Sequence, residues 1–225
     1  MITGKELFIS RISHGLGRAA PPDTPTRLVY PHQMQRRYLA HASTQKLRDI
    51  FIANARAVGV DVHRCDAGGL SAALLEIVRK TGGPVILAAD PLLTGDVAQC
   101  LTEAFTECHI WDAGAGREKN LALAEKAKVG VARAEMALAE SATTLLSCHG
   151  GNGRSITLLP ENSVIVIRAE TILPRLTQAM DWLHQQKTLP ASVNFVSGPS
   201  STADIELVRV QGVHGPLELA YIIVE

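Results

Sequence analysis

The sequence has no excess of charge of either sign. Lys plus Arg and Asp plus Glu each number 22, so the 225-residue chain has a formal net charge of zero. Attraction to nucleic acid or to an anionic membrane surface depends on clustered positive charge. The composition therefore predicts no nucleic-acid partner.

Long apolar runs are also missing. The longest are strand-sized, such as residues 164–167, whereas a membrane-spanning helix needs about 20 consecutive apolar residues. Residues 1–13 mix charged and apolar side chains at helical spacing and lack the continuous apolar core of a secretory leader. We therefore expect no membrane span and a cytoplasmic location.

Cysteines are few and scattered. The four lie at Cys65, Cys100, Cys108 and Cys148, and their spacing matches neither a zinc knuckle nor a ferredoxin-type cluster motif. Dinucleotide, phosphate-loop, serine-hydrolase and zinc-protease motifs are absent as well. We expect free thiols, and no metal or other cofactor in this chain.

The first quarter of the chain has a helical pattern. Residues 3–16 place apolar side chains mostly on one side, and residues 19–26 contain three prolines typical of a linker. A second helical region runs over about 32–58; its second part starts at the capping residues Ser43 and Thr44, and Gly59 is its stop signal. Residues 1–58 are therefore predicted to form an N-terminal helical arm.

From residue 59 to 225, short apolar segments alternate with helical ones. Such alternation predicts an α/β domain with a mixed, mainly parallel sheet wrapped by helices. Strands are predicted at 60–64, 85–89, 107–111, 128–132, 143–148, 164–168, 193–197 and 217–224, and helices at 70–80, 96–105, 117–127 and 172–186.

Three segments are richer in Gly and polar residues than ordinary connections: 139–144, 149–155, and 197–206 with the nearby 211–216. Arg154 could clamp a carboxylate or phosphate through two parallel hydrogen bonds, or form an ordinary surface ion pair. Glu140 could serve as a base or hydrogen-bond anchor, or be held structurally by backbone amides. His214 has the same two interpretations, ligand-binding or structural.

The segment from Ser197 combines a predicted strand end, Gly198 and several hydroxyls at a predicted helix start. Such a turn can present N–H and O–H groups to an anion, or simply cap a helix. Because strand ends gather at one edge of a parallel sheet, residues 153–155 and 198–204 are predicted to face one cleft. The candidate ligand-binding residues are Glu140, Ser141, Thr143, Arg154, Ser155, Gly198, Ser200, Thr202, Asp204, Glu206 and His214.

Several blocks resemble, in the same order, the lactate-utilisation protein C (LUD domain) family, and the resemblance covers residues 60–225. The blocks are KVGVARAE at 128–135, AES at 139–141, GRSITLLP at 153–160, SGPSSTADIE at 197–206 and GVHGP at 212–216. Two departures stand out. Many members have Glu-Thr-Gly-Thr at positions 140–143, where this chain has Ala142, and many have a basic residue at the position of Ser201.

The resemblance implies a fold similar to the sugar-phosphate isomerase and CoA-transferase group. It also implies work beside two sister subunits, at least one with Fe–S clusters, in oxidising L-lactate to pyruvate. The chain is then an accessory subunit, not catalytic alone, with a cleft for a small anion or a partner segment, and a homo-oligomer is also compatible. The alternatives are a free-standing CoA-transferase or cyclo-ligase-like enzyme acting on a small carboxylate or phosphate, and a ligand-sensing protein.

Overall fold

The computed structural model describes residues 4–24, 29, 31–203 and 210–225, which contain three sheets and eight α-helices. The helices are α1 (Gly4–Gly15), α2 (Met34–Arg37), α3 (Thr44–Ala57), α4 (Leu70–Thr81), α5 (Asp96–Ala104), α6 (Arg117–Lys126), α7 (Ser155–Leu158) and α8 (Leu176–Gln185). The strands are β1 (Asp61–Cys65), β2 (Val85–Leu87), β3 (Cys108–Ile110), β4 (Val129–Arg133), β5 (Met136–Leu138), β6 (Thr143–Ser147), β7 (Asn162–Arg168), β8 (Ile172–Leu173), β9 (Val193–Val196), β10 (Ser201–Thr202), β11 (Val210–Gln211) and β12 (Glu218–Val224).

The main sheet has six strands in the order β1-β12-β7-β4-β2-β3, and every neighbouring pair is parallel. Its central strands are buried and mostly apolar: residues 163–167 of β7 and 219–224 of β12 are all buried. Strands of this kind need cover on both faces, which the helices between them supply. The predicted α/β class with a mainly parallel sheet is confirmed.

A second sheet, in the order β8-β5-β6-β9, contains antiparallel pairs between β5 and β6 and between β6 and β9. The short β10 and β11 form a separate antiparallel pair. The strands β5, β8, β10 and β11 and the helix α7 were not predicted. The helix start predicted after Ser200 is wrong, because Ser201 and Thr202 form β10.

By Cα proximity the chain forms two compact units, residues 1–34 and residues 35–225. The first contains α1. In the second, α3 begins after Ser43, whose side chain accepts a hydrogen bond from the Lys46 N–H, and buries Phe51 and Ala55 in the core. The sequence predicted a domain boundary between residues 58 and 59. Division by Cα proximity does not test which parts fold separately, so this boundary stays a prediction.

The main sheet and the second sheet are joined by Tyr221, a fully buried residue of β12. Its hydroxyl lies 3.1 Å from the carbonyl oxygen of Ala142 and 3.2 Å from that of Val196, both in the second sheet region. Its ring stacks on Phe51 of α3, with the ring centroids 5.4 Å apart. One side chain therefore connects the main sheet, the second sheet and α3.

We expect Tyr221→Phe to lower the free energy of unfolding by about 1–3 kcal/mol, because the Ala142 and Val196 carbonyls lose the one O–H that lies within hydrogen-bonding distance of both. Burial raises the pKa of Tyr221 to about 12. An unfolded tyrosine ionises near pH 10, so the wild type should lose additional stability between about pH 10 and 12, and the variant should not. Urea unfolding at pH 7, 10 and 11.5 tests both points.

Tyr38→Phe is the matched control, since Tyr38 is about half exposed. It should change stability by less than about 0.5 kcal/mol. Equal losses for the two variants would contradict the role assigned to Tyr221.

Candidate functional site

The segments predicted to share one cleft line two different cavities. Gly198, Ser200 and His214 line a cavity of about 550 Å³, here called the signature cavity. Arg154 and Ser155 line another, of about 570 Å³, here called the glycine-loop cavity. The single shared cleft is therefore wrong for these residues.

The reason is the second sheet. Ser163 and Leu219, which line the signature cavity, are the second residues of β7 and β12, so this cavity lies at the amino edge of the main sheet. β9, which precedes Gly198, belongs to the second sheet and does not end with the parallel strands. The short helix α7 lies between the two cavities: Ser155 at its start lines one, and Thr157 near its end lines the other.

The signature cavity is lined by hydroxyls and apolar groups. No Arg, Lys, Asp or Glu is among its described lining residues, and His214 is exposed to solvent. The hydroxyl of Ser163 is buried there and has no hydrogen-bond partner in the described structure. The described lining therefore supplies no fixed positive charge for an anion. Thr202 lies in β10 and not in this lining, and Asp204 and Glu206 lie outside the described residues.

Glu140 has a structural partner. Its two carboxylate oxygens accept hydrogen bonds from Nε and Nη2 of Arg175, each at 2.9 Å. The side-chain amide of Asn54 donates to the carbonyl of Ala139 at 2.8 Å and to that of Glu140 at 3.0 Å. Glu140 lines neither the signature cavity nor the glycine-loop cavity.

The other residues of the turn at 139–143 are also held by hydrogen bonds. The hydroxyls of Ser141 and Thr143 lie 2.7 Å apart, and Ser197 donates to the Ser141 carbonyl at 2.8 Å. Ala142 has φ 52°, in the left-handed region that costs an L-residue roughly 1–2 kcal/mol. The departure from glycine at this position therefore leaves the turn in place with a strained alanine.

The glycine-loop cavity lies at the carboxyl edge of the main sheet. A Cβ on Gly151 would stand 2.6 Å from the carbonyl oxygen of Ala89, just after β2. A Cβ on Gly153 would stand 2.2 Å from the indole ring of Trp111, just after β3. Glycine is therefore required at both positions, since it lets the loop lie against the strand ends.

The lining of this cavity is cationic. It includes Arg117, the first residue of α6, together with Arg154 and His149, and no carboxylate is among its described lining residues. Neither arginine forms an ion pair within the described structure. His149 Nδ1 lies 3.3 Å from the Gly151 N–H. If Nδ1 accepts that hydrogen, Nε2 carries the ring proton of the neutral tautomer and is a donor.

A partly buried charged network was missed from the sequence. Arg133, at the end of β4, donates from Nε to Asp90 at 2.7 Å, and its Nη2 lies 3.4 Å from Glu135. Ser147 donates to the other oxygen of Glu135 at 2.6 Å. Burial lowers the pKa of Arg133, but its hydrogen bonds and charge interactions with Asp90 and Glu135 outweigh this, so the pKa is raised overall.

This network lies where the strand order reverses, because β3 lies on one side of β2 and β4 on the other. Open α/β sheets commonly bind ligands at such a point. Here a crevice of about 400 Å³ is lined by Asp90, Arg133 and Arg168. Arg133 is already paired, and Arg168 lies 2.6 Å from Glu170. The sequence contained one signal for this charged network: Arg133 and Glu135 come directly after the predicted buried strand 128–132.

The described residues contain no group of three or more His, Cys, Asp or Glu side chains placed to hold a metal ion. Among them, no helix is long and apolar enough to cross a membrane.

Comparison with known proteins identifies the family. The LUD domain profile matches residues 48–224. The chain belongs to the LUD domain family. This confirms the resemblance found in the sequence blocks.

Curated LUD relatives match along almost their whole length. Lactate utilization protein C of Bacillus velezensis is 38% identical, over 99% of this chain and 96% of the relative. The protein of the same name from Bacillus subtilis is 36% identical, over 99% and 97%. The uncharacterized protein YkgG of Escherichia coli is 34% identical, over 97% and 96%.

A solved structure has the same fold. The crystal structure of a DUF162 family protein from Deinococcus radiodurans aligns with a TM-score of 0.61 at 18% sequence identity. The alignment covers 81% of this chain and 99% of that one.

We expect Ala142→Gly to change stability by less than about 1 kcal/mol, because relief of the left-handed strain offsets the lost methyl group. Ala137→Gly is the matched control: Ala137 is equally buried but lies in β5, and it should lose about 1–2 kcal/mol. Thermal and urea unfolding of both variants measure the difference. A larger loss for Ala142→Gly than for Ala137→Gly would be inconsistent with a strained turn.

Proposed function

We propose that this LUD domain protein acts in lactate utilisation as an accessory subunit of an iron–sulfur system that oxidises L-lactate to pyruvate. The observation that supports this most is the similarity to proteins named lactate utilization protein C, which extends over 96–97% of the relatives' length in the examples above. In this proposal the electrons pass to Fe–S clusters in sister subunits. This chain supplies a binding surface.

The glycine-loop cavity is the part of the chain that fits this role best. L-Lactate and pyruvate are carboxylates, and an arginine without an ion pair can bind a carboxylate through two parallel hydrogen bonds. Arg154 and Arg117 both line this cavity, whereas the signature cavity offers no arginine or lysine among its described residues. We therefore assign small-anion binding to the glycine-loop cavity.

Deleting the gene in its native host should impair growth on L-lactate and leave growth on pyruvate intact. Complementation with the wild type should restore growth, and Arg154→Ala should restore it less well. Arg154 is exposed and unpaired, so the variant should melt like the wild type. Arg79→Ala, another exposed arginine at the end of α4, is the control that should complement fully. Normal growth of the deletion strain on L-lactate, with no second oxidase present, would rule out the pathway.

The purified chain alone should not reduce a soluble dye with L-lactate, and activity should appear when the Fe–S subunits are added. Lactate oxidation by the chain alone would contradict an accessory role and favour a free-standing enzyme. Growth of Arg154→Ala equal to that of Arg79→Ala would remove the glycine-loop cavity from the proposal.

A further inference from the structure

The glycine-loop cavity offers more positive charge than one carboxylate can use. Arg117 lies at the start of α6, and Arg154 immediately precedes α7, so two different elements supply the two guanidinium groups. Each can bind an anionic group through a pair of hydrogen bonds. A monoanion such as lactate would engage one and leave the other unmatched. The number of cations therefore favours a ligand with two anionic groups.

The size of the cavity also favours a ligand larger than L-lactate. Its volume is about 570 Å³, within the range of about 300–1,000 Å³ typical of sites for cofactor-sized ligands. Lactate has only six non-hydrogen atoms and would occupy a small part of it. A ligand that filled this space would be larger than L-lactate.

Trp111 adds an aromatic surface to the same lining. Its indole ring is only partly buried, and the indole N–H has no hydrogen-bond partner in the described structure. Aromatic side chains stack on planar rings, and the N–H can donate to an anionic oxygen. The lining thus combines two guanidinium groups, an N–H donor and an aromatic ring.

Three carboxylates close to this cavity, in the chain or in the adjoining cavity, are not part of its lining. Asp112, next to Trp111, accepts a hydrogen bond on Oδ1 from the Gly114 N–H at 2.8 Å. Glu135 lines the adjoining cavity, which shares Cys148, His149 and Gly150 with this one, but Glu135 is already bonded to Arg133 and Ser147. Glu118 lies next to Arg117 on α6 and is not part of the lining.

We infer that the glycine-loop cavity binds a diphosphate, with Arg117 and Arg154 each holding one phosphate group. The source of the diphosphate is either a nucleoside diphosphate, whose base lies against Trp111, or a simple pyrophosphate. This inference rests on the proposed anion site and names its ligand class.

The test measures binding of three probes to the purified full chain by calorimetry and by tryptophan fluorescence: inorganic pyrophosphate, ADP and L-lactate. Pyrophosphate and ADP should bind at least about tenfold more tightly than L-lactate, since a second charged hydrogen-bonded pair is added. ADP binding tighter than pyrophosphate identifies a nucleotide, and equal affinities identify pyrophosphate.

Arg117→Ala and Arg154→Ala should each weaken pyrophosphate binding by about tenfold or more, with unchanged melting temperatures because both side chains are exposed. Arg117→Lys should recover part of the affinity, since a point charge remains without the bidentate geometry. Arg79→Ala should bind like the wild type.

L-Lactate binding as tightly as the diphosphates, with dependence on Arg154 alone, would overturn the diphosphate inference and leave the proposed anion site in place. Binding of no probe, or diphosphate binding unaffected by Arg117→Ala and Arg154→Ala, would also overturn the inference. The role in lactate utilisation would still be decided by growth of the deletion strain.

Discussion

The arrangement of the second sheet against the main sheet depends on the Tyr221 hydroxyl. This hydroxyl belongs to β12, inside the main sheet, and lies within hydrogen-bonding distance of the carbonyl oxygens of Ala142 and Val196. Those two carbonyls belong to the turn at 139–143 and to the strand that leads into Gly198. The residues that directly adjoin two of the family-like sequence blocks, 139–141 and 197–206, thus contact one buried side chain. A buried tyrosine needs such partners, because an unbonded hydroxyl in the core is costly.

With the second sheet fixed this way, the polar segments divide between opposite edges of the main sheet. The signature cavity at the amino edge has hydroxyls and apolar groups, while the glycine-loop cavity at the carboxyl edge has arginines and an aromatic ring. Gly130 of β4 allows α7 to lie between the two cavities, because a Cβ there would stand 1.7 Å from the Ile156 carbonyl oxygen of α7. The helix between the cavities therefore lies directly on β4. The proposed anion site lies at the carboxyl edge, where open α/β sheets commonly place their sites.

Sequence reasoning recovered the parts governed by local pattern. All six strands of the main sheet and the helices α3 to α6 were predicted within a few residues, because apolar periodicity and capping residues are local signals. The second sheet was not recognised as a separate one: β5 and β8 are too short for a periodic pattern, and Pro174 breaks the predicted helix 172–186 so that α8 begins only at Leu176. Because that sheet was missed, the end of β9 was assigned to the same edge as the ends of the parallel strands, and a single shared cleft was predicted. The Asp90–Arg133–Glu135 network was missed because its members are far apart in sequence and meet only through the strand order.

The central claim is that the cations around the glycine loop recognise an anion. Anomalous diffraction from crystals soaked in selenate, a tetrahedral dianion, tests it most directly. We expect the strongest selenium peak beside the guanidinium groups of the glycine-loop cavity, with the peak at Arg154 lost in crystals of Arg154→Ala. A strongest peak in the signature cavity or the Arg133 crevice, with none beside Arg154, would contradict it.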